Sequence, residues 1–146
     1  MFVSSFIFQK TNIYKYQIRQ KSRGEKYILM KIVNHNQYEQ EYNAWQRSLE
    51  FFKQENALLK YRLSEIVDNN EDDHFLTMAE YFQNELLLKD ELLNNLQKNL
   101  QELHNSENLS EKMKSKQNKL RNEILEFEKN CLHLSNEFNK KMSQNI

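Results

Sequence analysis

The chain has 146 residues, one glycine, no proline, 29% charged side chains, and 21 basic against 21 acidic residues for a formal net charge of zero. That length bounds it to one domain with at most a single core. From Glu25 onward neither Gly nor Pro occurs, which excludes turn-rich sheet folds, Gly-rich phosphate loops, Rossmann fingerprints and nucleophile elbows, since these need glycine for tight turns or close backbone approach. Cys131 stands alone, so an intramolecular disulfide and a thiolate metal cluster are also excluded, and a reducing, cytoplasmic compartment is expected. Apolar runs such as Leu86-Leu87-Leu88 fall far short of the roughly 18–20 residues a membrane-spanning helix requires.

In chain order, the first segment is the odd one. Residues 1–29 carry Lys10, Lys15, Arg19, Lys21, Arg23 and Lys26 against Glu25 alone, whereas residues 30–146 carry the other 15 basic and 20 acidic side chains. Its β-branched and aromatic residues (Phe2-Val3, Phe6-Ile7-Phe8, Ile13-Tyr14, Tyr16, Ile18) lack the turn or partner strand that would make a hairpin. Residues 1–34 are therefore set apart as a basic, non-helical or disordered segment ahead of a helical bundle over 35–146. Three readings of it stay open. Met30 is the true start; or the segment is a targeting sequence, although it has no continuous apolar stretch or small-residue cleavage site; or it is a basic arm that binds anionic surfaces.

From Tyr38, steps of four and three residues select Tyr38, Tyr42, Trp45, Leu49, Phe52, Asn56, Leu59, Leu63 and Ile66, a heptad seam down one side of a helix. It ends in Asp68-Asn69-Asn70-Glu71-Asp72-Asp73, residues suited to a turn and a helix N-cap. A second seam takes Phe75, Ala79, Phe82, Leu86, Lys89, Leu93, Leu96, Leu100 and Leu103, widened by Met78, Tyr81, Leu88 and Leu92. After a turn at 105–110, with Ser110 as the expected N-cap, a third takes Met113, Gln117, Leu120, Ile124, Phe127, Cys131, Leu134, Phe138 and Lys141. The expected fold is all-α: three long antiparallel helices, about 36–67, 73–105 and 110–143, in an up-down-up bundle or coiled coil, because short connections reach only an antiparallel neighbour.

Candidate chemistry is sparse. Di-iron bundles need paired Glu-x-x-His motifs, and the chain has one, Glu71 to His74, in a turn. Reflection about the first turn brings His35 and His104 to one end with Glu107 nearby, a candidate metal trio, although a chance meeting of exposed helix-end histidines is far commoner. Cys131, at a seam position, reads as a small core residue rather than a nucleophile, and no catalytic residue, metal or cofactor is expected. Lys112, Lys114, Lys116, Lys119 and Arg121 are the best nucleic-acid signal, but the opposed segment carries Glu102 and Glu107, so intramolecular pairing is expected instead of binding to phosphates. Asn56 and Lys89 interrupt apolar seams within about one helical turn of each other after reflection. They form a candidate polar core pair of the kind that fixes register or oligomer state; the plainer reading has Lys89 reach solvent and Asn56 face a rim.

The segments Trp45-x3-Leu49-x2-Phe52-Lys53, Arg62-Leu63-x-Glu65-Ile66 and Glu80-x-Phe82-Gln83-Asn84 resemble small bacterial helical-bundle or coiled-coil proteins of uncharacterised role, over residues 38–101. Glu55-Asn56 departs from the Glu-Leu pair of that pattern. The resemblance implies a bacterial, cytoplasmic helical bundle and supplies no activity. The expected function is a non-enzymatic interaction or scaffold bundle that presents Ala44, Phe51, Leu58, Leu76 and Leu87 to a protein partner or its own copy, as a symmetric dimer. The alternatives are a metal-binding or redox bundle and a nucleic-acid accessory protein using the basic run of the third helix.

Overall fold

The computed structural model of the protein describes residues 23–106 and 111–144. Regular structure among these is wholly helical: α1 (Arg23–Asp68), α2 (Asp73–Asn105) and α3 (Glu111–Ser143). The chain divides into two compact units, residues 1–46 and 47–146, so the boundary falls inside α1.

In the first unit, the helix begins at Arg23 rather than near residue 36, which corrects the expected non-helical stretch up to residue 34; residues 1–22 of that segment lie outside the described residues. The heptad pattern fades before Tyr38, but Lys26, Leu29, Met30 and Lys31 are good helix formers and no proline stops them. Gly24 does not interrupt it: its backbone is not left-handed, and a Cβ there would meet open space. Val33, Tyr42 and Trp45 are buried. The Tyr38 and Tyr42 rings lie 6.4 Å apart, and Gln46 Nε2 donates to the Tyr42 hydroxyl at 2.7 Å. Burial, reinforced by the neighbouring Glu39 carboxylate, pushes the Tyr38 hydroxyl up to about 12.

In the second unit the rest of α1 runs antiparallel to α2 and parallel to α3. Phe52 meets Phe127 and Arg62 meets Asn139, so α1 and α3 rise together, while Phe82 of α2 meets Phe138 of α3. One cluster draws on all three helices: Leu59 and Leu63; Phe75, Ala79, Phe82 and Leu86; Leu134, Phe138 and Met142. The heptad positions are the inward ones, as the helical period requires, with two departures. Tyr81, Leu88 and Leu92, expected to widen the buried face of α2, are about half exposed. At the end of α3 the inward position is Met142, 1% exposed, and Lys141 faces solvent. Both follow Phe138 on the same side of the helix, and burial selects the apolar one.

The α1–α2 turn is closed by its own polar residues. Asn69 N and Asn70 N donate to Ile66 O and Val67 O, both at 3.2 Å, and Asn69 Nδ2 donates to Glu65 O at 2.8 Å, satisfying carbonyls at the end of α1. Asp72 caps α2, its carboxylate accepting from His74 N at 3.3 Å. Ser106 closes the far end of α2, its N and Oγ both donating to Leu103 O. Ser110 lies outside the described residues.

Candidate interaction surface

The α1–α3 face of the second unit is marked by two polar bridges: Ser48 Oγ donates to a Glu128 carboxylate oxygen, and Arg62 donates to Asn139 Oδ1 at 2.9 Å. Residues one helical turn from these bridges flank the same face. They are Phe51 (three after Ser48) and Leu58 (four before Arg62) on α1, with Leu125 and Leu132 on either side of Glu128 on α3. All four are large apolar side chains between 50% and 56% exposed. Phe51 is also held in place. Its ring meets Phe52 edge-on at 5.2 Å, and Phe52 meets Phe127 edge-on at 5.9 Å, so three rings lead from solvent into the core.

The sequence places Phe51 and Leu58 in this face but not Leu125 and Leu132, although their seven-residue spacing repeats that of Phe51 and Leu58 and was the available signal. Leu76 and Leu87 belong elsewhere. Leu76 is half-buried against the core cluster, and together with Leu87, Leu63 and Val67 it lines a groove of about 330 Å³ between α1 and α2, which Lys60 and Glu80 edge. The expected flank of the first helix and that of the second thus lie on different sides of α1. Ala44 is half-buried in the first unit.

The polar core residues also pair differently from expectation. Asn56 is buried, 3% exposed, and its amide donates to Asp90 Oδ1 at 3.3 Å; the other Asp90 oxygen accepts from Lys60 Nζ. Lys60 is one turn after Asn56 and so shares its side of α1, whereas Asp90 lies off the α2 seam and gave no periodic signal. Lys89 is half-buried and its charge is felt on α3, at Cys131.

Burial pushes the Cys131 thiol up to about 11, partly opposed by the Lys89 ammonium and reinforced by Glu128. A thiol held protonated in this way is a poor nucleophile. The shift also fixes a pH dependence. From the ordinary 9.0 up to about 11 the unfolded chain releases the thiol proton while the folded chain keeps it, so the stabilisation is complete below that window and is lost as pH rises through it. Cys131→Ala is expected to lose less stability than the parent across the window in urea titrations; equal losses would show that the thiol does not contribute.

Of the candidate metal trio, His35 is exposed, His104 is half-buried, and Glu107 lies outside the described residues. Among the described residues no three His, Cys, Asp or Glu side chains are grouped to hold a metal ion. In the basic run of α3, Lys119 pairs with Glu123 at 3.8 Å, and Lys116 and Lys119 share a cavity of about 280 Å³ with Glu102 and Glu123. No helix among the described residues is long and apolar enough to cross a membrane. No protein-family model matches the chain, and no curated protein or solved structure is significantly similar to it.

Proposed function

We propose that the protein is a non-enzymatic helical-bundle interaction protein that pairs with a second copy of itself across the α1–α3 face of its second unit. The observation that carries this reading is the half-exposed Phe51 ring, backed by Phe52 and Phe127 and flanked by Leu58, Leu125 and Leu132. A rigid aromatic at the centre of an apolar patch is the usual anchor of a protein interface, because little side-chain freedom is lost when it is covered. A twofold pairing covers the same patch on both copies. The buried free Cys131 is in keeping with a reducing, cytoplasmic setting, and the likeness of residues 38–101 to small bacterial bundles points the same way.

Magnitudes decide how tight such a dimer can be. Burying the exposed half of each side chain gains roughly 1 kcal/mol, so the eight in a dimer gain roughly 8 kcal/mol, comparable to the roughly 4–15 kcal/mol cost of association. The net is at most roughly 4 kcal/mol, so these side chains alone give a weak pairing, in the millimolar range. Phe51→Glu combined with Leu132→Lys is expected to leave the helical circular dichroism unchanged and to convert the dimer to a monomer in size-exclusion chromatography at high loading. A dimer that survives both substitutions would place the interface on another face.

A further inference from the structure

Within the first unit, the opening turns of α1 carry a second exposed apolar face. Tyr27, Ile28 and Ile32 are 61%, 59% and 50% exposed, while Val33 is turned inward at 7%. Ile28 and Ile32 stand one turn apart. In the adjacent row Tyr27, Lys31 and His35 follow one another at the same interval, all exposed. The Lys31 ammonium lies over the Tyr27 ring, 4.8 Å from its centroid, a cation–π contact that keeps the charge beside the apolar row.

By sequence, the N-terminal part of the chain that includes this face is strongly basic. Residues 1–38 contain Lys10, Lys15, Arg19, Lys21, Arg23, Lys26 and Lys31 against the single acid Glu25, a net of plus six; the remaining 14 basic and 20 acidic residues give minus six to the rest of the chain. A helix face that combines basic and aromatic side chains with a row of isoleucines matches an anionic lipid surface on both counts. Phosphate and carboxylate headgroups answer the ammonium and guanidinium groups, and the acyl boundary accepts Tyr27, Ile28 and Ile32. Nucleic acid answers only the charge and leaves the isoleucine row in water. We propose that the Tyr27–His35 face of α1 docks the protein on membranes rich in anionic lipid, lying in the interface rather than crossing it. This goes beyond the self-pairing proposed above, which uses a different unit of the chain.

The test uses the full chain and co-sedimentation with vesicles of pure phosphatidylcholine, or of three parts phosphatidylcholine to one part phosphatidylserine. Binding is expected only to the second kind and is expected to weaken with added salt. Ile28→Ser with Ile32→Ser, and separately Lys26→Glu with Lys31→Glu, should each lower the partition constant by at least about tenfold. Since Ile28, Ile32 and Lys31 are exposed, helicity should be kept. If either pair unfolds the chain, the single Lys31→Glu variant is read instead, with a loss of about fivefold or more expected. Absence of binding to the phosphatidylserine vesicles overturns the proposal. So does binding that ignores the isoleucine substitutions while duplex DNA is retained equally well, which would make the arm a general polyanion binder.

Discussion

Phe82→Ala is expected to lower the free energy of unfolding by about 3–5 kcal/mol. Phe82 is 1% exposed and sits in the cluster to which all three helices contribute. On one side its ring meets Phe138 edge-on at 5.3 Å, and Phe138 is in turn covered by the Arg62 guanidinium at 5.4 Å; on the other it touches the half-exposed Tyr81. Removing the ring leaves a void whose walls belong to three separate helices, each held by many other contacts, so the site cannot collapse to fill it. Urea denaturation followed by circular dichroism should show the midpoint falling with little change in slope. Phe51→Ala, at a position half exposed to water, should cost far less in a monomer, under about 1 kcal/mol. If the two substitutions cost the same, Phe82 does not sit at the centre of the core.

The second large effect is expected at Asp90. Asp90→Ala removes the acceptor of the buried Asn56 amide and the counter-charge of Lys60. The ion pair itself is worth little, because the Lys60 and Asp90 side chains are 38% and 28% exposed and such pairs contribute about 0–1 kcal/mol. The larger share comes from Asn56, 3% exposed, whose amide would be left buried without its acceptor at a cost of about 1–3 kcal/mol. A total loss of about 1–4 kcal/mol follows. Two further variants separate the contributions. Asp90→Asn keeps an acceptor for Asn56 and loses only the charge, so it should cost under about 1 kcal/mol. Asn56→Leu in the Asp90→Ala background removes the stranded amide and should recover most of the loss, because an apolar replacement of both partners can be nearly neutral. If Asn56→Leu instead adds to the damage, the Asn56–Asp90 contact is not what stabilises this level of the bundle.

The heptad arithmetic finds the inward positions because helical period alone decides which residues share a face: Leu49, Leu86 and Phe138, each a seam position, are fully buried at 0% exposed. The start of α1 was not legible for the complementary reason. Residues 27–33 are apolar almost all the way round, so no single stripe stands out, yet the backbone stays helical from Arg23. Reflection about a turn gives the level of two residues along a bundle but not their rotation about the helix axes. It therefore set Asn56 beside Lys89, and missed that the carboxylate reaching Asn56 is the next residue, Asp90. The same ambiguity governs the surface. Phe51, Leu58, Leu76 and Leu87 all read as flanks, but a sequence does not say on which side of the first helix the second and third will stand. With that fixed, Phe51 and Leu58 border α3, whereas Leu76 and Leu87 line the groove between α1 and α2.

Pairing through the α1–α3 face is decided most directly by sedimentation equilibrium of the unmutated chain over a concentration series from low micromolar to near millimolar. The average mass is expected to rise with concentration from that of one chain toward that of two. Phe51→Glu with Leu132→Lys, measured over the same series, should stay at the mass of one. A single-chain mass for the unmutated protein throughout would contradict self-association and leave the apolar face around Phe51 for a different protein to cover.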